Sequence, residues 1–403
     1  MSSQQQIDKL VNAALEIEEK TAQDAGALGF MARSPIQATM PHSKPKDLIF
    51  HRENGNFTLS IKHWYMVSIY SIAHFLVDFA CAFLMFRCIA ETSDWYFCLL
   101  LYNFCAFAMQ MPLGILADVW NRNYLLAAFG CIFIAAAYGL QHAITAAVVV
   151  GIGNALFHIG GGIDVLNISE KKSGALGVFV SPGAWGVYFG TILGKGNDLS
   201  SIPILAALFI AAGLIFAMHR AQGREFPKNS AFSLGAITSQ RMLSAVACLF
   251  LVVCLRSYVG LTLNLPWKSV DYWGITLVCA VVLGKTAGGF AADRFGMMKV
   301  VFFSLSAASL LFFFSRIPLF GITAVLLFNM TMPVTLWVMA KIFPGAKGFS
   351  FGLLTFGLFL GFLPVYCGIN PPSNEHWPFA LAAAASLALL GAGLRKANLW
   401  VSR

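Results

Sequence analysis

Long apolar stretches recur along the chain from Lys62 onward, and short polar segments separate them. Six cover residues 63–89, 95–117, 123–141, 143–167, 173–194 and 201–219, and six more cover residues 242–265, 271–293, 298–315, 318–340, 348–369 and 377–394. A helix of about 20 apolar residues can cross the ~30 Å hydrocarbon core of a bilayer. The pattern therefore predicts an all-α integral membrane protein with twelve transmembrane helices.

A short turn occurs twice in this pattern, at the end of the second and of the eighth apolar stretch. The first copy reads Gly114-Ile-Leu-Ala-Asp118-Val-Trp-Asn-Arg122, and the second reads Gly289-Phe-Ala-Ala-Asp293-Arg294-Phe-Gly296. Each copy places a glycine and an aspartate four residues apart, so that both lie on one helix face. The repeat indicates an internal duplication, with two six-helix halves related by an axis along the membrane normal. We expect an N-terminal segment (1–61), a first half (62–219), a cytoplasmic linker (220–241) and a second half (242–403).

The repeated turn resembles the signature between the second and third helices of each half in the major facilitator superfamily of secondary transporters. The first copy differs from the family pattern, because Val119 replaces a basic residue and Asn121 a glycine; the second has Met297 where a basic residue is usual. The resemblance implies a secondary transporter that works by alternating access. It assigns a cytoplasmic gate to Gly114, Asp118, Arg122, Gly289, Asp293, Arg294 and Gly296. Asp164, near the predicted cytosolic end of the fourth stretch, is assigned to the same gate with Lys171 and Lys172.

Composition supports the membrane class and indicates an orientation. Of 403 residues, 58% are hydrophobic and 11% are charged, and the mean hydropathy is +0.72, whereas a soluble domain carries about a quarter charged residues. The net charge of +9 could favour nucleic acid, but cytoplasmic loops of membrane proteins also collect Lys and Arg. With both termini in the cytoplasm, eleven basic residues lie in inner loops and three or four in outer ones. We therefore expect a protein of the plasma (bacterial inner) membrane, with no nucleic-acid partner.

The N-terminal segment, 1–61, differs in kind from the rest of the chain. A short amphipathic helix is expected within Gln4 to Asp24, followed by an irregular segment that contains several prolines. Three stretches, Thr21 to Arg33, Gln37 to Lys44 and Asn54 to Ser60, resemble the N-terminal part of plasmid RepA-type replication initiators. Two interpretations remain open: a DNA- or partner-binding appendage, and a fusion remnant that acts as a cytosolic tail.

Few ionisable side chains lie within the apolar stretches, and each is a candidate for the transport pathway. A charge at the bilayer centre costs about 2.5–3.5 kcal/mol on insertion scales, so its presence there suggests function. His74 and Asp78 are four residues apart on the first helix and can share a proton, or they can form a static buried pair. His158 is either a cavity residue or a packed core histidine.

Two basic residues lie within the second half, Arg256 in the seventh stretch and Lys285 in the eighth. Arginine cannot be deprotonated at accessible pH, so Arg256 must face a partner or a wet cavity. It is either a fixed anion-binding group or the partner of an acidic residue such as Asp78. Lys285 either snorkels toward the interface or joins Arg256 in contacting substrate.

Within the superfamily, Ala155-Leu-Phe-His158 and Leu255-Arg256-Ser257 resemble the fosmidomycin-resistance-type branch, although Ile159 stands where that branch usually has proline. This resemblance implies proton-coupled efflux of a small organic solute or drug, an anion among the candidates. Uptake of an organic anion by symport or exchange is the alternative, and a non-transporting membrane sensor or anchor is an alternative of another class.

Because the sequence holds no GxxxxGK[ST] loop, an ATP-driven pump is disfavoured. We expect no enzymatic activity, catalytic residue, cofactor or metal; the expected partners of the monomer are a small-molecule solute, protons and the lipid bilayer.

Overall fold

The computed structural model describes residues 50–53, 56–59, 61–196, 199–222, 228–230, 240–268, 271–371 and 375–398. The chain divides into two units, Met1–Leu48 and Ile49–Arg403, and all that follows concerns the second. The amphipathic helix expected near the N-terminus, and most of the RepA-like stretch, lie outside the described residues.

The described chain begins with an antiparallel pair of strands, β1 (Phe50–Glu53) and β2 (Asn56–Leu59), in which Phe50 is paired with Leu59. The sequence analysis expected an irregular segment here and missed the pair. The signal was the dipeptide Asn54-Gly55 between the strands, which is typical of tight hairpin turns.

Twelve helical spans follow in the described part of the chain. They are α1 (Ile61–Ile89), α2 (Trp95–Trp120), α3 (Asn123–Ala137), α4 (Ala143–Ile168), α5 (Gly174–Lys195), α6 (Ile202–Gln222), α7 (Gln240–Thr262), α8 (Asp271–Phe295), α9 (Met297–Phe313), α10 (Pro318–Ile342), α11 (Lys347–Tyr366) and α12 (Trp377–Lys396). Ten are long and apolar enough to cross a membrane; α3 and α9, the third helix of each half, are shorter. The predicted all-α membrane fold is confirmed, and the boundaries agree to within a few residues.

The offset between the two turns also relates the helices of the two halves. The shift that carries Asp118 onto Asp293 also carries Ala143, at the start of α4, onto Pro318, at the start of α10. It carries Ile202, at the start of α6, onto Trp377, at the start of α12. On this correspondence we assign α1–α6 to the first half and α7–α12 to the second.

Helices α5 and α10 break inside the bundle, and these two breaks do not correspond between the halves. Helix α5 breaks at Ser181 and Pro182, between Gly174–Val180 and Gly183–Lys195. Pro182 has no N–H and cannot bond to the carbonyl of Val178 four residues before it. Helix α10 breaks between Pro318–Asn329 and Met332–Ile342, just ahead of Pro333. Backbone groups released in this way need other partners inside a membrane.

Side chains from neighbouring helices satisfy the carbonyls at the α5 break. Ser71 donates to the carbonyl of Val178 at 3.3 Å, and the ring Nδ1 of His74 lies 2.7 Å from the carbonyl of Phe179. The Lys285 ammonium donates to the next carbonyl, that of Val180, at 3.2 Å. The break in α5 therefore positions two of the side chains that the sequence had singled out.

Candidate functional site

Helices α1 and α4 bring three of the predicted pathway residues into one buried cluster, which we call the triad: His74, Asp78 and His158. The His74 Nε2 atom lies 3.2 Å from Asp78 Oδ2, and the His158 Nε2 atom lies 3.7 Å from Asp78 Oδ1. The two Nε2 atoms are 2.9 Å apart. His74 and His158 are 6% and 8% exposed, so bulk water screens these contacts little.

The hydrogen bonds of the two histidine rings indicate which ring nitrogens carry hydrogen. The Nδ1 atom of His74 faces the Phe179 carbonyl, and that of His158 faces the Asn154 carbonyl at 2.9 Å. A carbonyl only accepts, so both Nδ1 atoms carry hydrogen, and in neutral rings both Nε2 atoms are bare lone pairs. Two bare nitrogens repel at 2.9 Å, whereas one proton placed between them would turn the contact into a hydrogen bond. The geometry of the triad therefore suits a shared proton, with Asp78 as its counter-ion.

Asn154 and Gly183 complete the surroundings of the triad, and the sequence analysis missed both. Asn154 donates to Asp78 Oδ1 at 3.1 Å. A Cβ atom added at Gly183 would collide with Asp78 Oδ2 and with His74 Nε2. The spacing of Asn154 and His158, four residues apart on one helix face, could have revealed Asn154.

Lys285 links the triad to the second half. From α8 its ammonium donates to the Val180 carbonyl of α5, and Thr286 beside it shares a hydrogen bond of 2.8 Å with Ser181. Lys285 is also close enough to Asp78 and to Arg256 to interact electrostatically with both. A change in the charge of the triad therefore changes the electrostatic energy of the Lys285 ammonium.

Arg256 lies buried in α7, and none of the described residues is an acidic partner for it. Its Nη2 atom donates to Thr331 Oγ1, at the α10 break, at 2.8 Å. Among the described residues no carboxylate lies within 4 Å of it, and its Nε atom has no hydrogen-bond partner. The ion pair between Asp78 and Arg256 that the sequence left open is not formed, because Asp78 is held by the two histidines and Asn154.

A cavity of about 480 Å³ opens beside Arg256 and Lys285. It lies among helices of the second half, with Tyr188 of α5 as the contribution of the first. Its basic residues are Arg256, Lys285 and Lys268, the last in the α7–α8 connection, and no Asp or Glu is among its lining residues. Most of the remaining lining is apolar, with Asn329 and Ser257 as polar exceptions.

The two repeated turns form a pair of contacts between the halves, which we call the latches. Asp118 at the end of α2 accepts hydrogen bonds from the backbone N–H groups of Gly348 and Phe349, both at 2.8 Å. Asp293 at the end of α8 accepts from the N–H groups of Ser173, at 2.6 Å, and Gly174, at 2.8 Å. In each latch a carboxylate of one half binds the N-terminus of a helix in the other, where the positive end of the helix dipole favours it. The face that carries both latches is called the latch face.

The other assigned residues of the repeated turns are three glycines and two arginines. Gly114 and Gly289 lie at close backbone contacts: a Cβ atom at Gly114 would collide with the Gly348 carbonyl, and one at Gly289 would lie 2.8 Å from the Ser173 carbonyl. Gly296 has a φ of +91°. Arg122 and Arg294 are exposed and are not part of either latch.

Asn121, which stands where the family pattern has glycine, ends α2 with a positive φ of 53°. Asparagine tolerates this left-handed conformation better than most side chains do. The departure from the family pattern therefore leaves the turn intact.

Asp164, which the sequence analysis assigned to the gate, forms its two described side-chain hydrogen bonds within the first half. It accepts hydrogen bonds from Tyr70, at 2.6 Å, and from Asn123, at 2.9 Å, both within the first half. These two neutral donors give each carboxylate oxygen of Asp164 a hydrogen-bond partner.

Contacts that the sequence analysis did not predict reinforce the latch face. Lys347 donates to Asn167 Oδ1 at 2.8 Å and lies 3.7 Å from Glu170. The Trp337 ring N–H donates to the Ser169 carbonyl at 2.8 Å. Each of these contacts joins the first half to the second, so the halves are held together on this face.

Comparison with known proteins identifies the fold. No family model matches the sequence, and no curated protein matches it. Among solved structures, the chain is similar to the crystal structure of a Major Facilitator Superfamily transporter, FucP, in the outward conformation, with a TM-score of 0.60 and 12% identity. It is also similar to an asparagine-to-alanine variant of the E. coli fucose:proton symporter FucP, with a TM-score of 0.55 and 12% identity. Each match covers 85% of this chain and 100% of the other. The chain therefore has the fold of these transporters.

Proposed function

We propose that the protein is a secondary transporter that carries a small organic anion across the membrane together with a proton. The observation that carries this proposal is the cavity beside Arg256 and Lys285, which has two interior cations and no carboxylate in its lining. Buried charges without a partner are costly, so an anion bound there would supply the missing counter-charge. The apolar lining favours an anion with a hydrophobic body, since such a body replaces water from apolar walls.

The charge arrangement favours movement of the proton and the anion in the same direction. With its shared proton the triad is neutral, and without it the triad carries the negative charge of Asp78. A negative triad attracts Lys285 and competes with the anion for it, whereas a neutral triad leaves Lys285 to the anion. Proton and anion therefore bind cooperatively, which is the thermodynamic condition for cotransport. Other ionisable groups that interact with Asp78 are Cys81 and Tyr102.

Alternating access would follow from the latches. Both bind through backbone N–H groups and separate without leaving a carboxylate stranded in lipid, because they lie at helix ends where water can replace them. Opening the latch face while the opposite face closes would carry the cavity from one side to the other.

Efflux by proton exchange, which the fosmidomycin-type resemblance favours, would use the same residues, with the proton and the solute moving in opposite directions. Exchange requires that binding of the proton weakens binding of the solute. The charges described above have the opposite effect on an anion. A sensor or anchor would use the fold without net solute movement.

Transport by purified protein in liposomes separates these functions. A panel of radiolabelled aromatic and aliphatic carboxylates and phosphonates is offered to proteoliposomes with an imposed pH gradient. Symport predicts accumulation on the alkaline side, which a protonophore abolishes; exchange predicts accumulation on the acidic side. Arg256→Gln should abolish accumulation, and Arg220→Gln, at an exposed arginine of α6, serves as the matched control. Accumulation that is unchanged in Arg256→Gln would contradict the proposal.

A further inference from the structure

We propose that the triad of His74, Asp78 and His158 is also a binding site for a divalent transition metal of the zinc class. The three donor atoms lie within 4.8 Å of one another. Two imidazoles and one carboxylate are a common protein ligand set for zinc, with a fourth position left to water. The inference rests on the triad's geometry and can be tested without any transport activity.

The rings are already oriented as metal ligands. Histidines that bind metals usually donate the other ring N–H to a carbonyl or carboxylate, which fixes the tautomer and directs the lone pair at the ion. His74 does so to the Phe179 carbonyl, and His158 does so to the Asn154 carbonyl. Both Nε2 lone pairs consequently point into the same space. Asn154 orients the carboxylate in the same way through its bond to Asp78 Oδ1.

The separations between the donors suit a small ion. Zinc bonds of about 2.0–2.1 Å in tetrahedral geometry place ligand atoms roughly 3.3 Å apart. The three contacts of the triad are 2.9, 3.2 and 3.7 Å, which bracket this value. Small rotations of the three side chains therefore reach the geometry of a bound ion.

Gly183 leaves the space that the ion and its water need. A Cβ atom at this position would collide with Asp78 Oδ2 and with His74 Nε2. The absence of a side chain at Gly183 therefore leaves space beside two of the ligands. In the described part of the chain the buried Oδ1 of Asn154 also has no hydrogen-bond partner, which provides an acceptor for a metal-bound water.

A zinc ion and a shared proton would use the same Nε2 lone pairs, so the two would compete for the triad. If the triad carries the coupling proton, as proposed above, zinc inhibits transport.

The first test measures binding directly with Co²⁺ as the probe, on purified full-length protein in detergent. We expect one Co²⁺ per chain with the intense visible absorption of a four-coordinate site. Affinity should fall at least tenfold in His158→Ala and in Asp78→Asn, and by about tenfold or more in Asn154→Ala, whose residue only orients a ligand. His142→Ala, at an exposed histidine outside the triad, should bind as the parent does.

Zn²⁺ titrations by calorimetry are the second test, and they should give about one ion bound per chain. Absence of stoichiometric Co²⁺ binding, or retention of binding in correctly folded Asp78→Asn and His158→Ala, would overturn the inference. If the metal-free parent protein did not transport anions, that result would contradict the proposed function and not the metal site.

Discussion

The Asp118 latch offers the most quantitative prediction, because both of its hydrogen-bond partners are defined. Asp118 is fully buried and accepts two backbone hydrogen bonds. In Asp118→Asn the amide would keep one acceptor oxygen and present its NH₂ group to the other N–H. A hydrogen bond to a charged group contributes about 1.5–3 kcal/mol and a neutral one about 0.5–1.5 kcal/mol. Asp118→Asn therefore weakens the closed latch face by about 2–4 kcal/mol, which shifts the equilibrium roughly 30-fold to several-hundred-fold toward opening.

Distances between spin labels across the latch face measure this shift. Arg122 in the first half and Lys299 in the second are exposed and suit labelling in a background without other reactive cysteines. Asp118→Asn should add or enlarge a long-distance population in pulsed dipolar spectra. Asp293→Asn should act in the same direction and more weakly, since Asp293 is only partly buried.

Asp164→Asn is the matched control for the latch. Asp164 is also buried and also accepts two hydrogen bonds, but Tyr70 and Asn123 belong to its own half. Its substitution should lower thermal stability and leave the distance distribution unchanged. If Asp118→Asn left the distribution as it was, or if Asp164→Asn changed it equally, the latch would not be what closes this face.

Further predictions concern the turn, the triad and the ends of the chain. Gly114→Ala should abolish transport at normal membrane levels because the added methyl group collides with α11, whereas Gly213→Ala, which faces open space, should be silent in the same uptake assay. Asp78→Asn should retain anion binding, measured by thermal shift, and lose the response of uptake to a pH gradient. Burial lowers the pKa of His376, so its protonation favours unfolding; thermal stability should fall as pH drops below about 6.5, and less so in His376→Gln. Deletion of residues 2–58 should leave insertion and uptake intact, as proteoliposome assays would show.

The helices and the latches could be predicted from the sequence for the same reason. The helices follow from apolar runs of about 20 residues. The latches follow from a glycine and an aspartate on one helix face, a pattern that occurs twice in the chain. Asp118 could be recognised without knowledge of Gly348, because the duplication marks its importance. The partner itself could not be foreseen, since backbone N–H groups carry no signature in sequence.

The contacts of the triad depend on packing that the sequence does not encode locally. His74 and His158 are 84 residues apart and meet because α1 packs against α4. Pro182 indicates a kink in α5, but not that the released carbonyls would meet His74 and Lys285. The hydrogen-bond donors to Asp164, Tyr70 and Asn123, lie on other helices, and nothing near Asp164 in the sequence indicates them.

The duplication relates the two latches to one another, but it does not relate the triad to the interior basic residues Arg256 and Lys285. The shift that carries Asp118 onto Asp293 also relates their partners: Gly348 and Phe349, which bind Asp118, correspond to Ser173 and Gly174, which bind Asp293. Each latch is therefore the counterpart of the other in both its carboxylate and its N–H groups.

The same shift puts Leu249, Val253 and Pro333 at the positions of the triad, and Cys81 and Gln110 at those of Arg256 and Lys285. The triad therefore lies in the first half and has no counterpart at the equivalent positions of the second, in which Arg256 and Lys285 lie. The two halves thus have equivalent latches but carry different parts of the proposed site, and Lys285, which donates to the carbonyl of Val180, connects these parts. In the proposed transport cycle, equivalent latches would suit a gate that opens on either face, and separate proton and anion sites would suit the coupling between them.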